Sequence, residues 1–379
     1  MGDKIIYTTF LAHLVDDGCE VVMYPLIPLM AKEFSFSNVQ IGILGGVLII
    51  ALGLFQFLMG YVSDYLKKKK DMVVFGFLLI SLSFYLISLA NSFSHILVFT
   101  FFAGVGLSFY HPVGVSVITT HFKIGRGKAI GIHGVGGAVG LLIFPAYSGF
   151  LAHLYGWRFV LKVTPVICIL VALLYYLSVK DISFKKSKNK LSLIFSGTVI
   201  LVMIVLGTAS MCNRGFTTFF PVHLDRVGYD SSFYGSLLSV FLGVGIFGQY
   251  IGGVLSDKIS YRKIVSSSLI LTVIFLIPLL RTENSYQIYI FGALTGLFMS
   301  IVWPAIFAYI AEVTPEDMHS RGLGVFFSVA AMMGGSSSIL VGYTAKIFTL
   351  EYALLILPIT ALIGAVLMLG VRRLVDHPW

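Results

Sequence analysis

Charge is scarce in this chain. Asp, Glu, Lys and Arg make up 11% of its 379 residues, against roughly a quarter in soluble domains. With 58% hydrophobic residues and a mean hydropathy of +0.95, that shortage excludes a soluble globular protein. Cysteine is scarce too. Cys19, Cys168 and Cys212 each fall inside an apolar stretch and share no metal-type spacing, so they are expected to be buried small hydrophobes and not disulfide partners. There is no Gly-x-x-x-x-Gly-Lys-Ser/Thr loop, which excludes direct drive by ATP, and no His-Glu-x-x-His. Period-two alternation is missing, which excludes a membrane β-barrel. The N-terminus lacks a small-residue cleavage site after a short apolar region, so the first span is expected to stay in the mature protein. Met1–Ile6 lacks the Ser or Thr of a myristoylation signal. Nothing points to an enzyme, a resident cofactor or a nucleic-acid partner.

What the chain does have is apolar length. Twelve spans are read at about 5–30, 38–63, 72–90, 95–120, 127–152, 158–179, 193–222, 232–255, 263–280, 286–312, 321–345 and 353–373. Each is close to the 20 residues that cross about 30 Å of hydrocarbon as helix. The fold class is therefore an all-α membrane protein of twelve transmembrane helices. The net charge of +9 has a topological explanation. With the N-terminus inside, Lys67–Lys70, Lys123, Arg126, Lys128, the lysines of 180–190, Lys258, Arg262, Lys263, Arg321, Arg372 and Arg373 all fall on one side. Only Lys32, Arg158, Lys162, Arg226, Arg281 and Lys346 fall on the other. The positive-inside rule then predicts a multi-pass protein of the cell membrane with both termini cytoplasmic.

The chain also repeats itself. Gly60-Tyr61-Val62-Ser63-Asp64 returns as Gly253-Val254-Leu255-Ser256-Asp257, each at the end of an apolar span and each followed by basic residues. Pro112 in span 4 matches Pro304 in span 10, and Arg126-Gly127 matches Arg321-Gly322. A period of half the chain predicts two parallel repeats facing each other across a cavity. The expected units are a six-helix bundle over 1–179, a cytoplasmic linker rich in Lys and Ser over 180–192, and a second six-helix bundle over 193–379.

These residues resemble the major facilitator superfamily. The two Gly-x-x-Ser-Asp segments look like its loop signature and echo, and Gly156-Trp157-Arg158 and Thr314-Pro315-Glu316…Arg321-Gly322 are similar to its other landmarks. The resemblance covers the whole chain. Within the family, His13…Asp17…Pro25…Pro28, Tyr110-His111-Pro112 and Phe219-Phe220-Pro221 resemble the fosmidomycin-resistance branch of drug exporters. The family implies that Asp64 and Asp257, with Arg126 and Arg321, form latches that hold the halves in one state. Plain topological charge is the alternative. The chain departs from the family in span 4, where Thr100–Gly106 carries no Arg, so a proton relay there is not carried over. In span 5, Phe144-Pro145-Ala146 only half matches the antiporters' Gly-Pro motif.

Span 1 is the most polar. At about 100° per residue, His13, Asp17, Glu20 and Tyr24 lie within roughly 60° of one another, with Asp16 on the edge of the arc. Carboxylates at membrane depth cost a few kcal/mol each, so the stripe must face a wet cavity or a cation. Asn213-Arg214 in span 7, the counterpart of span 1, supplies the cation. A static ion pair and a proton switch are both open to such a pair. Asp17, then Glu20 and Asp16, with His13, are the candidates for proton coupling. Arg214, His111, Trp303, His133, Tyr24 and Asn213 are the candidates for substrate contact. His111 stands before Pro112, which breaks the helical hydrogen-bond ladder, and Trp303 takes the matching place before Pro304. Gly127/Gly131 and Gly136/Gly140 have the spacing of close helix contacts, and His153 is expected at the interface.

The expected function is proton-coupled export of small organic molecules by a monomer in the bilayer. The alternatives are proton symport of an anionic solute held by Arg214, divalent-metal transport, or a non-transporting receptor on the same fold. Metal ranks third, after export and anion symport, because four of its five prospective ligands, His13, Asp16, Asp17 and Glu20, lie on one helix, with only His111 elsewhere.

Overall fold

The computed structural model describes residues 2–63, 69–122, 124–180, 197–313 and 319–371. Helix is the only regular structure among them. In chain order the helices are α1 (Gly2–Val21), α2 (Ile27–Phe34), α3 (Asn38–Ser63), α4 (Lys69–Ser88), α5 (Phe93–Leu107), α6 (Tyr110–His121), α7 (Arg126–Tyr155) and α8 (Trp157–Ser178). They continue with α9 (Gly197–Val227), α10 (Ser231–Gly243), α11 (Gly245–Ser256), α12 (Tyr261–Leu279), α13 (Ser285–Val313), α14 (His319–Ile347), α15 (Leu350–Leu354) and α16 (Ile356–Gly370).

Among the described residues, eleven segments are long and apolar enough to cross a membrane. The first span is the twelfth of the sequence reading. Its carboxylates depress its apolarity, and it survives at depth because other helices surround it. Four expected spans are broken in two, the last of them span 12 at Leu355. Span 1 stops at Val21, passes through a 3₁₀ turn at Tyr24–Leu26 and resumes as α2. Pro25 and Pro28 account for that, since neither can donate to the ladder. Span 4 is split at Ser108–Phe109 and span 8 at Val244. Pro112 lacks the N–H that would bond the Ser108 carbonyl four residues back, which puts the break at Ser108–Phe109.

The packing repeats across the chain. In the first half α1 lies against α7 and α8, α4 against α8 and α5, and α3 against α5. In the second half α9 lies against α14 and α16, α12 against α16 and α13, and α11 against α13. Span by span, these are the same five pairs. Large apolar side chains face outward on α8 at Val166, Ile169, Leu170, Leu173 and Leu177, the pattern of a lipid-facing surface.

Two seams join the halves, α3 with α14 and α7 with α10. Both are backbone contacts made possible by small residues. A Cβ on Gly42 would run into the Ser338 carbonyl, one on Gly46 into the Gly335 carbonyl, and one on Gly149 into the Ser231 carbonyl. The seams are reinforced at the far face, opposite Gly2. There Lys32 Nζ donates to Asp225 (2.8 Å), Arg226 to Asn38 Oδ1 (2.6 Å), and Asn38 Nδ2 to the Ala345 carbonyl (3.0 Å). At the near face a Cβ on Gly127, Gly131, Gly134, Gly253 or Gly324 would meet nothing within 4 Å among the described residues. Among those residues the two halves are joined at the far face, and these near-face glycines stand clear of any neighbour. The Gly127/Gly131 spacing therefore serves no helix contact in this state, contrary to the sequence reading, because the end of α7 that carries it stands apart from its neighbours. Gly136 and Gly140 do serve one, fitting α7 onto the Phe10 and Leu14 carbonyls of α1.

Candidate functional site

The polar groups of α1 converge where the seams end. His13 and Asp17, one turn apart, bring Nε2 and Oδ2 to 3.3 Å. The start of α6 carries His111 to the same carboxylate, with Nε2 3.2 Å from Asp17 Oδ1 and 3.4 Å from Asp16 Oδ2. The break before α6 aims that ring inward. Asp16 is sealed at 2% exposure, whereas His111 keeps 28% of its side chain exposed, Asp17 15% and His13 14%. The cluster is thus partly exposed and not locked away.

A backbone scaffold fixes the rings. His13 Nδ1 donates to the His133 carbonyl at 2.8 Å. His133 Nδ1 and the Tyr110 hydroxyl both donate to the Thr9 carbonyl, at 3.3 and 2.7 Å. The His13 and His133 rings stack with centroids 4.2 Å apart. A carbonyl can only accept, so the neutral His13 ring carries its hydrogen on Nδ1 and presents a lone pair from Nε2. A hydrogen bond between that Nε2 and Asp17 requires one further proton, on the ring or on the carboxyl. The geometry therefore contains a place for a proton.

Glu20, one turn further along, forms an ion pair with Arg214 of α9. The guanidinium also lies 3.5 Å from the Tyr24 hydroxyl. This pair joins the first half to the second. A Cβ on Gly334 of α14 would press on the Arg214 side chain, and one on Gly137 of α7 would overlap Asp17 and His13. Both glycines clear room for the charged groups.

Of the residues expected from sequence, Asp17, Glu20, Asp16, His13, His111, His133, Tyr24 and Arg214 come together here. Trp303 does not. It packs on Phe307, ring centroids 5.9 Å apart, in an unbroken α13. Asn213 stands half-buried on α9 without a side-chain contact to the cluster among the described residues. Of the expected latch residues, Asp64 lies outside the described residues. Asp257 caps α11 and is exposed, Arg126 opens α7 and is exposed, and Arg321 lies near the start of α14. Tyr110 and Gly137 were missed as site residues. Tyr110 sits in the quoted Tyr-His-Pro run, and Gly137 in the glycine-rich stretch of span 5, which was the available signal.

The three cysteines are free and buried, with Cys19 and Cys168 sulfurs 3.4 Å apart. The Gly-Trp-Arg landmark has a structural role at the far face. Arg158 Nη1 pairs with Glu33, Trp157 Nε1 donates to Glu33 at 2.8 Å, and Arg158 Nη2 donates to the Ala90 carbonyl at 2.9 Å. The Arg158 hydrogen bond holds the Glu33 carboxyl below its usual range. His153, expected at the interface, is 46% exposed there and lies 3.7 Å from Asp230.

The sequence profile of the Major Facilitator Superfamily matches residues 9–245 and again 225–378. The chain belongs to the Major Facilitator Superfamily. It is 24% identical over 369 residues to the fosmidomycin resistance protein of Escherichia coli K12, covering 93% of this chain and 89% of that one. It is 23% identical over 364 residues to the cis,cis-muconate transport protein of Acinetobacter baylyi, covering 89% and 86%. In fold it is similar to the crystal structure of a bacterial homolog of the human lysosomal transporter Spinster, in an inward-facing and occupied conformation. That match has a TM-score of 0.86 and 17% identity, over 97% of this chain and 96% of the other. This superfamily member is a multi-pass membrane transporter of small molecules and not an enzyme.

Proposed function

We propose that this superfamily member exports small organic molecules in exchange for protons, by alternating access of two six-helix units (1–179 and 193–379) joined by the linker 180–192. The observation that carries this reading is the Glu20–Arg214 pair. It bridges the halves beside an imidazole–carboxylate cluster with room for a proton. Neutralising Glu20 releases Arg214 to a cargo, and losing the cargo returns Arg214 to Glu20. Asp17, held between His13 and His111, is the first choice for the coupled carboxylate, followed by Glu20 and Asp16. Asp64 and Asp257, with Arg126 and Arg321, latch the near face when it closes, a reading supported by the exposure of Asp257 and Arg126. The positive-inside asymmetry makes that near face cytoplasmic.

The test is purified protein in liposomes with an imposed pH gradient. Cargo movement should follow the gradient, and Asp17→Asn should abolish the response. Undiminished coupling in that variant removes Asp17 from the mechanism. A second reading, proton symport of an organic anion, is favoured by Arg214 in the cavity and by the carboxylic acid in the name of the Acinetobacter relative. In that case Arg214→Lys loses acidic cargo while neutral cargo is spared, and acids accumulate on the acid-opposed side of the vesicle.

A further inference from the structure

We propose that His13, Asp17 and His111 form a binding site for a first-row divalent transition-metal ion. The sequence argument against a metal was that too many of its ligands share one helix. The break at Ser108–Phe109 answers it by bringing His111 from α6 onto the His13–Asp17 turn of α1.

One ligand atom from each of the three residues lies within 4.8 Å of the other two. Two ligands on a tetrahedral ion with bonds of about 2.0–2.1 Å stand about 3.3–3.4 Å apart. Asp17 meets His13 through Oδ2 at 3.3 Å and His111 through Oδ1 at 3.2 Å, so each oxygen of the carboxylate stands at that spacing from one imidazole. The second observation is independent of these distances. His13 Nδ1 donates to the His133 carbonyl, the outer-shell bond that fixes the tautomer of a metal-bound histidine and turns the other nitrogen toward the ion. The lone pair on Nε2 faces a carboxylate oxygen, a pair of donors that a metal ion can bridge in place of a proton. Two imidazoles and a carboxylate, with no thiolate, suit zinc, cobalt or nickel better than magnesium or calcium. Three protein ligands leave coordination positions open, so the ion can exchange or carry a small organic ligand.

The site is tested at equilibrium in detergent, without a gradient, so its failure and that of the transport reading are separate results. Chelator-stripped protein is titrated with Zn²⁺ by calorimetry and with Co²⁺ by visible absorption. One saturable site per chain is expected. Zn²⁺ affinity should fall by at least about tenfold in His111→Gln and in His13→Gln, and stay unchanged in His153→Gln at the far face. X-ray absorption on the Co²⁺-loaded wild type should show two imidazoles bound, a readout independent of whether the variants fold. The proposal is overturned by no saturable Zn²⁺ binding, by equal competition from Mg²⁺, by unaltered affinity in both cavity variants, or by an oxygen-only shell.

Discussion

Span 4 and span 10 carry a proline at matching positions and treat it differently. Before Pro112 the helix ends at Leu107 and restarts at Tyr110, so His111 is turned onto Asp17. Pro304 sits inside a continuous α13, and Trp303 stays against Phe307. The same asymmetry holds one span pair over. α1 carries His13, Asp16, Asp17 and Glu20, while its counterpart α9 answers at that depth with Arg214 and keeps His223, Asp225 and Arg226 for its far end. The repeat preserves the packing pairs and leaves the chemistry to one half.

The largest effect expected is from cutting the counter-charge of Arg214. Arg214→Ala strands a mostly buried Glu20 and should cost about 3–5 kcal/mol. Glu20→Gln with Arg214→Gln should recover much of the loss, as read by thermal unfolding in detergent. Equal instability of single and double variants would show that the halves are not coupled through this pair. Next is a contrast between the two ends of the molecule. Gly42→Val forces α3 off the Ser338 carbonyl and should disfavour the closed far face by about 1–3 kcal/mol. Gly127→Val, with open space around it, should leave that equilibrium alone. Spin-label distances across the far face would separate the two. The prolines themselves give a smaller effect. Pro112→Ala restores a donor to the Ser108 carbonyl, straightens the span and draws His111 away from Asp17. A roughly tenfold loss of transport is expected, about 1.4 kcal/mol in the barrier, against little change in Pro304→Ala. Equal losses would dissolve the contrast.

The smallest effect is at the far-face staple. Arg158 keeps the Glu33 carboxyl below its usual range. A depressed folded-state value gives stability that is full above the ordinary carboxylate range and lost as pH falls through the folded value. Glu33 is 42% exposed, so solvent screening limits the gain to under about 1 kcal/mol. Glu33→Gln should melt slightly below wild type at pH 7 and level with it near pH 3, whereas an equal gap at both would assign the staple to Trp157 alone.

Much of this site was legible from the one-dimensional chain. Residues 13, 17, 20 and 24 share a helical face whatever surrounds them, and a lone Arg214 in an apolar span declares a partner. The paired Gly-x-x-Ser-Asp segments gave the duplication. Other features depended on tertiary placement. Which of two equivalent prolines breaks its helix is decided by the neighbours that pack on it, so His111 converges and Trp303 does not. Glycine spacing shows where helices are able to touch, and tertiary placement decides which of those sites are used, so Gly136/Gly140 have partners on α1 and Gly127/Gly131 have none among the described residues. Tyr110 reaches the Thr9 carbonyl across a hundred residues of chain, a contact that no local pattern encodes.

The glycine seams carry a kinetic consequence. Where α3 meets α14 and α7 meets α10, main chain touches main chain at Gly42, Gly46 and Gly149, and main chain has no rotamers to re-sort. Parting them frees little side-chain entropy and rejoining them freezes little. Such a joint can open and shut many times without annealing, and its turnover is then set by the few charged and amide hooks at its rim, Lys32 to Asp225 and Asn38 to Ala345.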